Sequence, residues 1–209
     1  MAAPHHLADT SPLGADSYPT EIDYLRLTDR CNRLLEFADG RIEELREPTD
    51  SHQSILMLLF RLFDQHVGER GVALVAPLRI RIREGRYREP DLLLLRDAND
   101  SRRQDRYWLG ADLVVEVVSR DDPERDYVQK RHDYADLRIP EYWIVDPQAE
   151  TITVLTLDGD RYVDHGVFRP GDVASSTTLR GFRAPVSDTL SPARGAADDH
   201  IDFVGRTRG

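Results

Sequence analysis

The stretch "DLVVEVVS", residues 112–119, constrains this chain most: two valines precede Glu116 and two follow it. So apolar a run reads as a short buried strand. A carboxylate inside it is costly, because a charge taken out of water without a partner either pays a large desolvation penalty or takes up a proton. A fold that buries this strand must therefore bring the glutamate a cation, a proton or a metal ion.

The chain around it has 209 residues, enough for one well-buried core with extensions. Residues 1–19 and 188–209 lack hydrophobic periodicity and read as mobile tails, leaving one domain over 20–187. The N-terminal "MAAPHHLADTSPLG" has no basic region before an apolar run, so no signal peptide is expected. The longest apolar stretch, "SILMLLFRLF", is too short for a membrane span and is broken by Arg61. Cys31 is the only cysteine, which excludes an internal disulfide and a cysteine metal cage. A cytoplasmic protein is expected.

The net charge of −10 does not suit a general nucleic-acid coat, although it allows a local basic groove. The positive charge is unevenly divided: 27 arginines stand against one lysine, Lys130. Codon bias accounts for much of that, but a lysine that survives it marks a place where a guanidinium does not substitute.

Along the chain, Thr20 caps a helix over "EIDYLRLTDR", with Ile22 and Leu25 on its apolar face. Asp39-Gly40 turns a hairpin that sets Glu36 opposite Glu43, so that pair is either solvated or shares a cation. "DSHQSILMLLFRLFDQHVGE" is the main core helix, capped by Asp50 or Ser51. Two strands, a turn at Glu84-Gly85 and a further strand from near Pro90 follow. Ser119 is the expected cap of the helix "DPERDYVQKRHDYAD", and strands over "EYWIVDP" and "ETITVLTL" come next. The pattern is α+β, a mixed sheet flanked by helices.

If "REPDLLLL" and "ADLVVEVVS" pair antiparallel across a symmetric loop, Arg96 faces Ala111 and Asp91 faces Glu116. Two carboxylates then meet at one end of an apolar sheet, an arrangement that a hard divalent cation satisfies. A slip of one residue would separate them to opposite faces. Asp126 and Lys130, spaced i, i+4, share a helix face that can fold back over Glu116.

These residues, "EPD…VVEVVS…D-x-x-x-K…Y…IPEYWIVDP", resemble the Uma-two family, a branch of the PD-(D/E)xK nuclease superfamily. The similarity runs from "EFADG" through "PTDSH" to the strand after Pro147. It implies a restriction-endonuclease-like core, with Asp91 and Glu116 as catalytic acids and metal ligands. The lysine usual two residues after the second acid is Val118 here, and Lys130 takes the place of a lysine moved to the next helix. Glu36 and His52 also match family positions, and with Asp126 they are candidate accessory residues. Ala111, Arg120 and Arg138 depart from the pattern, and Arg138 stands where a glycine is usual, which predicts a left-handed residue strained by about 1 kcal/mol.

The implied activity is metal-dependent hydrolysis of DNA phosphodiesters, with Mg²⁺, or Mn²⁺ in its place, polarising the phosphate and acidifying water. Lys130 would orient the water or stabilise transition-state charge. A homodimer is a family expectation. Other readings of the same residues stay open. Asp91 and Glu116 can be strand-end carboxylates held by arginine, and Asp126–Lys130 can be an exposed ion pair. His52 and Glu36 can be ordinary exposed residues. Arg79, Arg81 and Arg83 alternate on one strand face as either a phosphate-contacting strip or a solvated sheet face. A non-catalytic nucleic-acid-binding protein and a phosphoesterase for small nucleotides are the alternative functions.

Overall fold

A computed structural model describes residues 18–191 apart from 32 and 121. The two tails therefore lie almost wholly outside the described residues.

Helix α1 (Glu21–Thr28) starts at a capping box in which Thr20 and Asp23 satisfy each other's backbone N–H groups. It buries Tyr24 and Leu25; Ile22, expected on the apolar face, is exposed, because the packed stripe is rotated toward Tyr24. Strands β1 (Leu35–Ala38) and β2 (Arg41–Glu44) form the hairpin, with Asp39 at φ 49° and Gly40 at φ 83°. Positive φ at both turn residues matches a hairpin's twist, which is why Asp-Gly suits the position. Glu36 pairs with Glu43, as the turn required.

Helix α2 (Asp50–Val67) is the main core helix, burying Ile55, Leu56, Leu59 and Phe63. Its cap is Thr49, whose hydroxyl accepts from the His52 N–H, rather than Asp50 or Ser51, which already lie in or against the first turn. Then come β3 (Val72–Val75), β4 (Ile80–Arg83), β5 (Arg86–Arg88), β6 (Leu92–Leu95) and β7 (Leu113–Val117). A helical stretch begins after residue 122, widens to a π-helical segment at Arg125–Lys130 and continues as α3 (Arg131–Asp136). Ser119 does not cap it: the Asp122 carboxylate, three residues later, accepts from the Arg125 N–H. Strands β8 (Glu141–Asp146), β9 (Thr151–Asp158) and β10 (Arg161–Phe168) follow, then β11 (Val173–Ser175), β12 (Arg183–Pro185) and α4 (Val186–Leu190). Helix α4 carries the packed core past residue 187, with Thr189 buried.

The main sheet runs β10-β9-β8-β7-β6-β3, and a smaller one runs β2-β1-β5-β4. In the main sheet only β7 and β8 are parallel. Leu92, Leu94, Val115 and Val117 turn to the α2 side, while Leu93, Leu95, Val114 and Val118 turn to the α3 side. Both faces are thus covered, as a near-continuous apolar strand demands. By alternation Glu116 points with Val114 and Val118, toward α3. Arg138 sits at φ 62°, the left-handed conformation expected there.

Phe182 stacks on Phe63 at 4.1 Å and meets Trp143 edge-on at 5.7 Å, joining the last strands to α2 and the sheet. Phe182→Ala is expected to destabilise the protein by about 3–5 kcal/mol. Urea unfolding checks this, and a loss below about 1 kcal/mol would mean that the C-terminal strands add little to the core.

Candidate active site

Strands β6 and β7 pair Leu92 with Val115 and Leu94 with Leu113, the register in which Asp91 faces Glu116 just beyond the ladder. Asp91 Oδ2 accepts the Val117 N–H at 2.7 Å, which ties its carboxylate to the strand that carries Glu116. The same oxygen lies 3.3 Å from His52 Nε2. His52 is therefore half-buried at the site rather than exposed on the first turn of α2.

Glu116 is 1% exposed. Lys130 Nζ approaches its Oε2 at 2.8 Å, and the Tyr134 hydroxyl donates to its Oε1 at 2.5 Å. Lys130 also reaches Asp126 Oδ1 at 3.0 Å, so the i, i+4 pair is buried and not a solvated surface pair. Tyr134 adds a third member to this stripe, four residues beyond Lys130. That spacing could have marked it from sequence, although it received no role there. The Tyr142 hydroxyl donates to the Asp126 backbone carbonyl at 3.0 Å, bracing the widened turn from β8. Such π-helical turns occur often at functional sites.

Glu36 is fully buried beside this group. Arg88 Nη1 contacts its Oε2 at 2.5 Å and Arg125 Nη2 contacts the same oxygen at 2.6 Å. Arg125 Nη2 is also 3.1 Å from Glu43 Oε2, so it is the cation that the opposed glutamates share. Arg88 Nε reaches Asp133 at 2.7 Å. Sequence reasoning missed Arg88, Arg125 and Asp133, because one arginine among many carries no local mark of its partner.

The arginines are absent from the paired carboxylates themselves. Among the described residues, none is hydrogen-bonded or ion-paired to Asp91 or Glu116. The strip Arg79, Arg81 and Arg83 is also brought elsewhere. Arg79 donates to Thr28 Oγ1, Arg81 lies 3.2 Å from Glu21, and Arg83 lies 2.7 Å from Asp39. These three fasten α1 and the hairpin to β4, so they are not a free row of phosphate contacts.

Asp91, Glu116 and Asp126 thus share one ammonium and the adjacent His52. Burial, then the charges of Asp91 and Asp126, push the Glu116 carboxyl above the carboxylate range although Lys130 opposes them. Burial likewise raises Asp126. Burial alone would lower Lys130, but the carboxylates of Glu116, Asp126, Glu36 and Asp91 outweigh it and hold the ammonium protonated. His52 is raised because the hydrogen bond and charge of Asp91 outweigh its burial. Glu36 is the reverse case: Lys130, Arg88 and Arg125 overcome its burial and lower it to about 2.

The donor set was tested against a divalent ion. Among the described residues no three His, Cys, Asp or Glu side chains form a ready-made cage. Asp91 and Glu116, which with Asp126 have only Lys130 and His52 as ion-pair partners among the described residues, nevertheless suit Mg²⁺, which is commonly held by one or two carboxylates and keeps several waters.

Comparison with known proteins then places the chain. The Uma2 (Uma-two) family, described as "Putative restriction endonuclease", matches residues 22–187. The chain belongs to the Uma2 family. A crystal structure described as a "putative nuclease belonging to DUF820", from Anabaena variabilis ATCC 29413, shares the fold at a TM-score of 0.64 and 16% identity. That match covers 80% of this chain and 97% of the other. No curated protein matches the chain. No helix among the described residues of this Uma2 protein is long and apolar enough to cross a membrane.

A pH prediction follows from the excess of carboxylates. A folded pKa above the unfolded value makes the fold hold a proton more tightly, so the contribution of Glu116 to stability falls as pH rises above about 4.3 toward its folded value. Glu116→Gln keeps an acceptor for Tyr134 and removes that fall. In metal-free protein the variant is expected to match wild type near pH 4 and to gain on it progressively toward pH 8 in urea unfolding. A variant less stable than wild type at pH 8 would show that Glu116 is a net structural anion.

Proposed function

We propose that this protein is a metal-dependent endonuclease that hydrolyses phosphodiester bonds of DNA. The observation that carries the reading is the buried pair Glu116 and Asp126 on the only lysine with Asp91 facing Glu116, and, among the described residues, no arginine on Asp91 or Glu116. Buried carboxylates that serve only structure are normally compensated by paired charge, as Glu36 is here. Around Lys130 the balance differs: Glu116 and Asp126 divide one ammonium and Asp91 has His52, which leaves carboxylate charge that a cation can use.

Asp91 and Glu116 are the residues that would hold Mg²⁺, or Mn²⁺ in its place. The ion would supply Lewis-acid polarisation of the phosphate and a more acidic water. The rest falls to the chain's own groups. Lys130, whose ammonium two carboxylates hold, is an electrostatic and hydrogen-bond donor for negative charge growing on the phosphoryl oxygens. Asp126, 3.0 Å from the ammonium, is its second partner, so Lys130 keeps an ion pair when Glu116 turns to another partner. His52 orients Asp91 through Oδ2, and the Val117 N–H fixes the same oxygen, which leaves Oδ1 to a ligand.

The test is cleavage of supercoiled plasmid and of single-stranded DNA with Mg²⁺ or Mn²⁺. Glu116→Ala and Lys130→Ala are each expected to lower kcat by about 10²-fold or more, the scale of losing one transition-state contact. Equal rates in wild type and both variants would overturn the reading.

A further inference from the structure

A cleft of about 630 Å³ opens between the hairpin β1–β2, strand β5 and the helical stretch that carries Lys130. Arg41 and Glu43 come from the hairpin, Arg86 and Arg88 from β5, and Gln129 and His132 from the helix. None of these six was assigned to substrate from the sequence.

Its donors differ in kind from those of the Arg79, Arg81 and Arg83 strip. Arg41 and Gln129 are exposed, and their side chains make no hydrogen bond or ion pair among the described residues. His132 is 77% exposed, with only a 3.8 Å approach to Asp136. Below them Arg88 is 2% exposed and spends Nε on Asp133 and Nη1 on Glu36, leaving Nη2 without a partner among the described residues. Arg86 uses both terminal nitrogens, and its buried Nε is unpartnered. The acids of the cleft are already spent. Asp39 pairs with Arg83 and Arg86, and Glu43 with Arg125. What remains for a ligand is Arg41, Gln129 and His132 at the surface and Arg88 Nη2 beneath them, with the charge of Arg41 in excess.

We infer that this cleft binds a phosphate of the nucleic-acid backbone. The inference rests on the nuclease reading, since it takes the polymer as substrate. Two features favour a backbone phosphate. Forked guanidinium groups match phosphate oxygens, and backbone contacts set the position of a strand without reading its bases. Gln129 and His132 lie on the exposed side of the helical stretch whose buried side carries Lys130, so a strand held in the cleft contacts the element that positions the proposed catalytic group. The cleft also explains how an acidic protein binds a polyanion: the attraction is local and not a property of the net charge.

The test is fluorescence anisotropy of labelled single-stranded and duplex oligonucleotides in EDTA, which separates binding from cleavage. Wild type is compared with Arg41→Ala, Gln129→Ala and the double variant Arg41→Ala/His132→Ala. Arg61→Ala, on the exposed side of α2, removes the same charge elsewhere. Arg41→Ala is expected to weaken binding severalfold, equally across sequences, and to reduce the salt dependence by about one phosphate contact. Arg61→Ala is expected to leave both unchanged. Equal losses in Arg41→Ala and Arg61→Ala, no loss in either, or no binding by wild type would overturn the cleft. Cleavage assays keep the two readings apart. Binding that depends on Arg41 without any cleavage retains the cleft and rejects the nuclease, whereas cleavage with an unchanged KM in Arg41→Ala does the reverse.

Discussion

Lys130 carries one positive charge into a region where four carboxylates converge, and the placement of the surrounding elements follows from that imbalance. Its ammonium bridges Glu116 on β7 and Asp126 on the π-helical turn, at 2.8 and 3.0 Å. Glu36 on β1 faces the same charge and is closed off by Arg88 from β5 and Arg125 from the helix. The small sheet, the main sheet and the helix are thus joined through alternating buried charges. Such networks add little net stability, because desolvation offsets the attraction, but removing one member leaves an unpaired charge and is costly. Their effect is to leave only one arrangement of the three elements satisfied.

The sequence was most legible where the rule is local. A symmetrically closed loop between two strands was enough to face Asp91 toward Glu116, and an Asp-Gly turn was enough to oppose Glu36 and Glu43. Arg138 in a glycine's place foretold a positive φ. Helix caps were less legible, since Thr49, Asp50 and Ser51 can each cap α2 and only the chain's path into the helix selects Thr49. The arginines were least legible. Which carboxylate a given arginine reaches depends on contacts 40–90 residues away in sequence, such as Arg88 with Glu36 and Arg125 with Glu36. The alternating row at residues 79–83 looked like a phosphate strip because sequence shows the donors but not the acids that α1 and the hairpin bring to them.

Glu36 and Glu116 separate what arginine and lysine do in this protein. Both are buried to about the same extent, yet one is lowered to about 2 and the other is raised. Two guanidinium groups converge on Glu36, so its charge is permanent and its oxygens are committed. Glu116 meets one compact ammonium that is also claimed by Asp126, and a neutral hydroxyl from Tyr134. A planar guanidinium at position 130 would tend to engage the carboxylate through two parallel hydrogen bonds and to stay charged under all conditions. It would make Glu116 resemble Glu36, a locked structural anion with little left for a metal ion. A point charge with three rotatable donors instead divides its hold between Glu116 and Asp126. In a chain with 27 arginines, the single lysine stands beside the buried carboxylate that no guanidinium among the described residues locks.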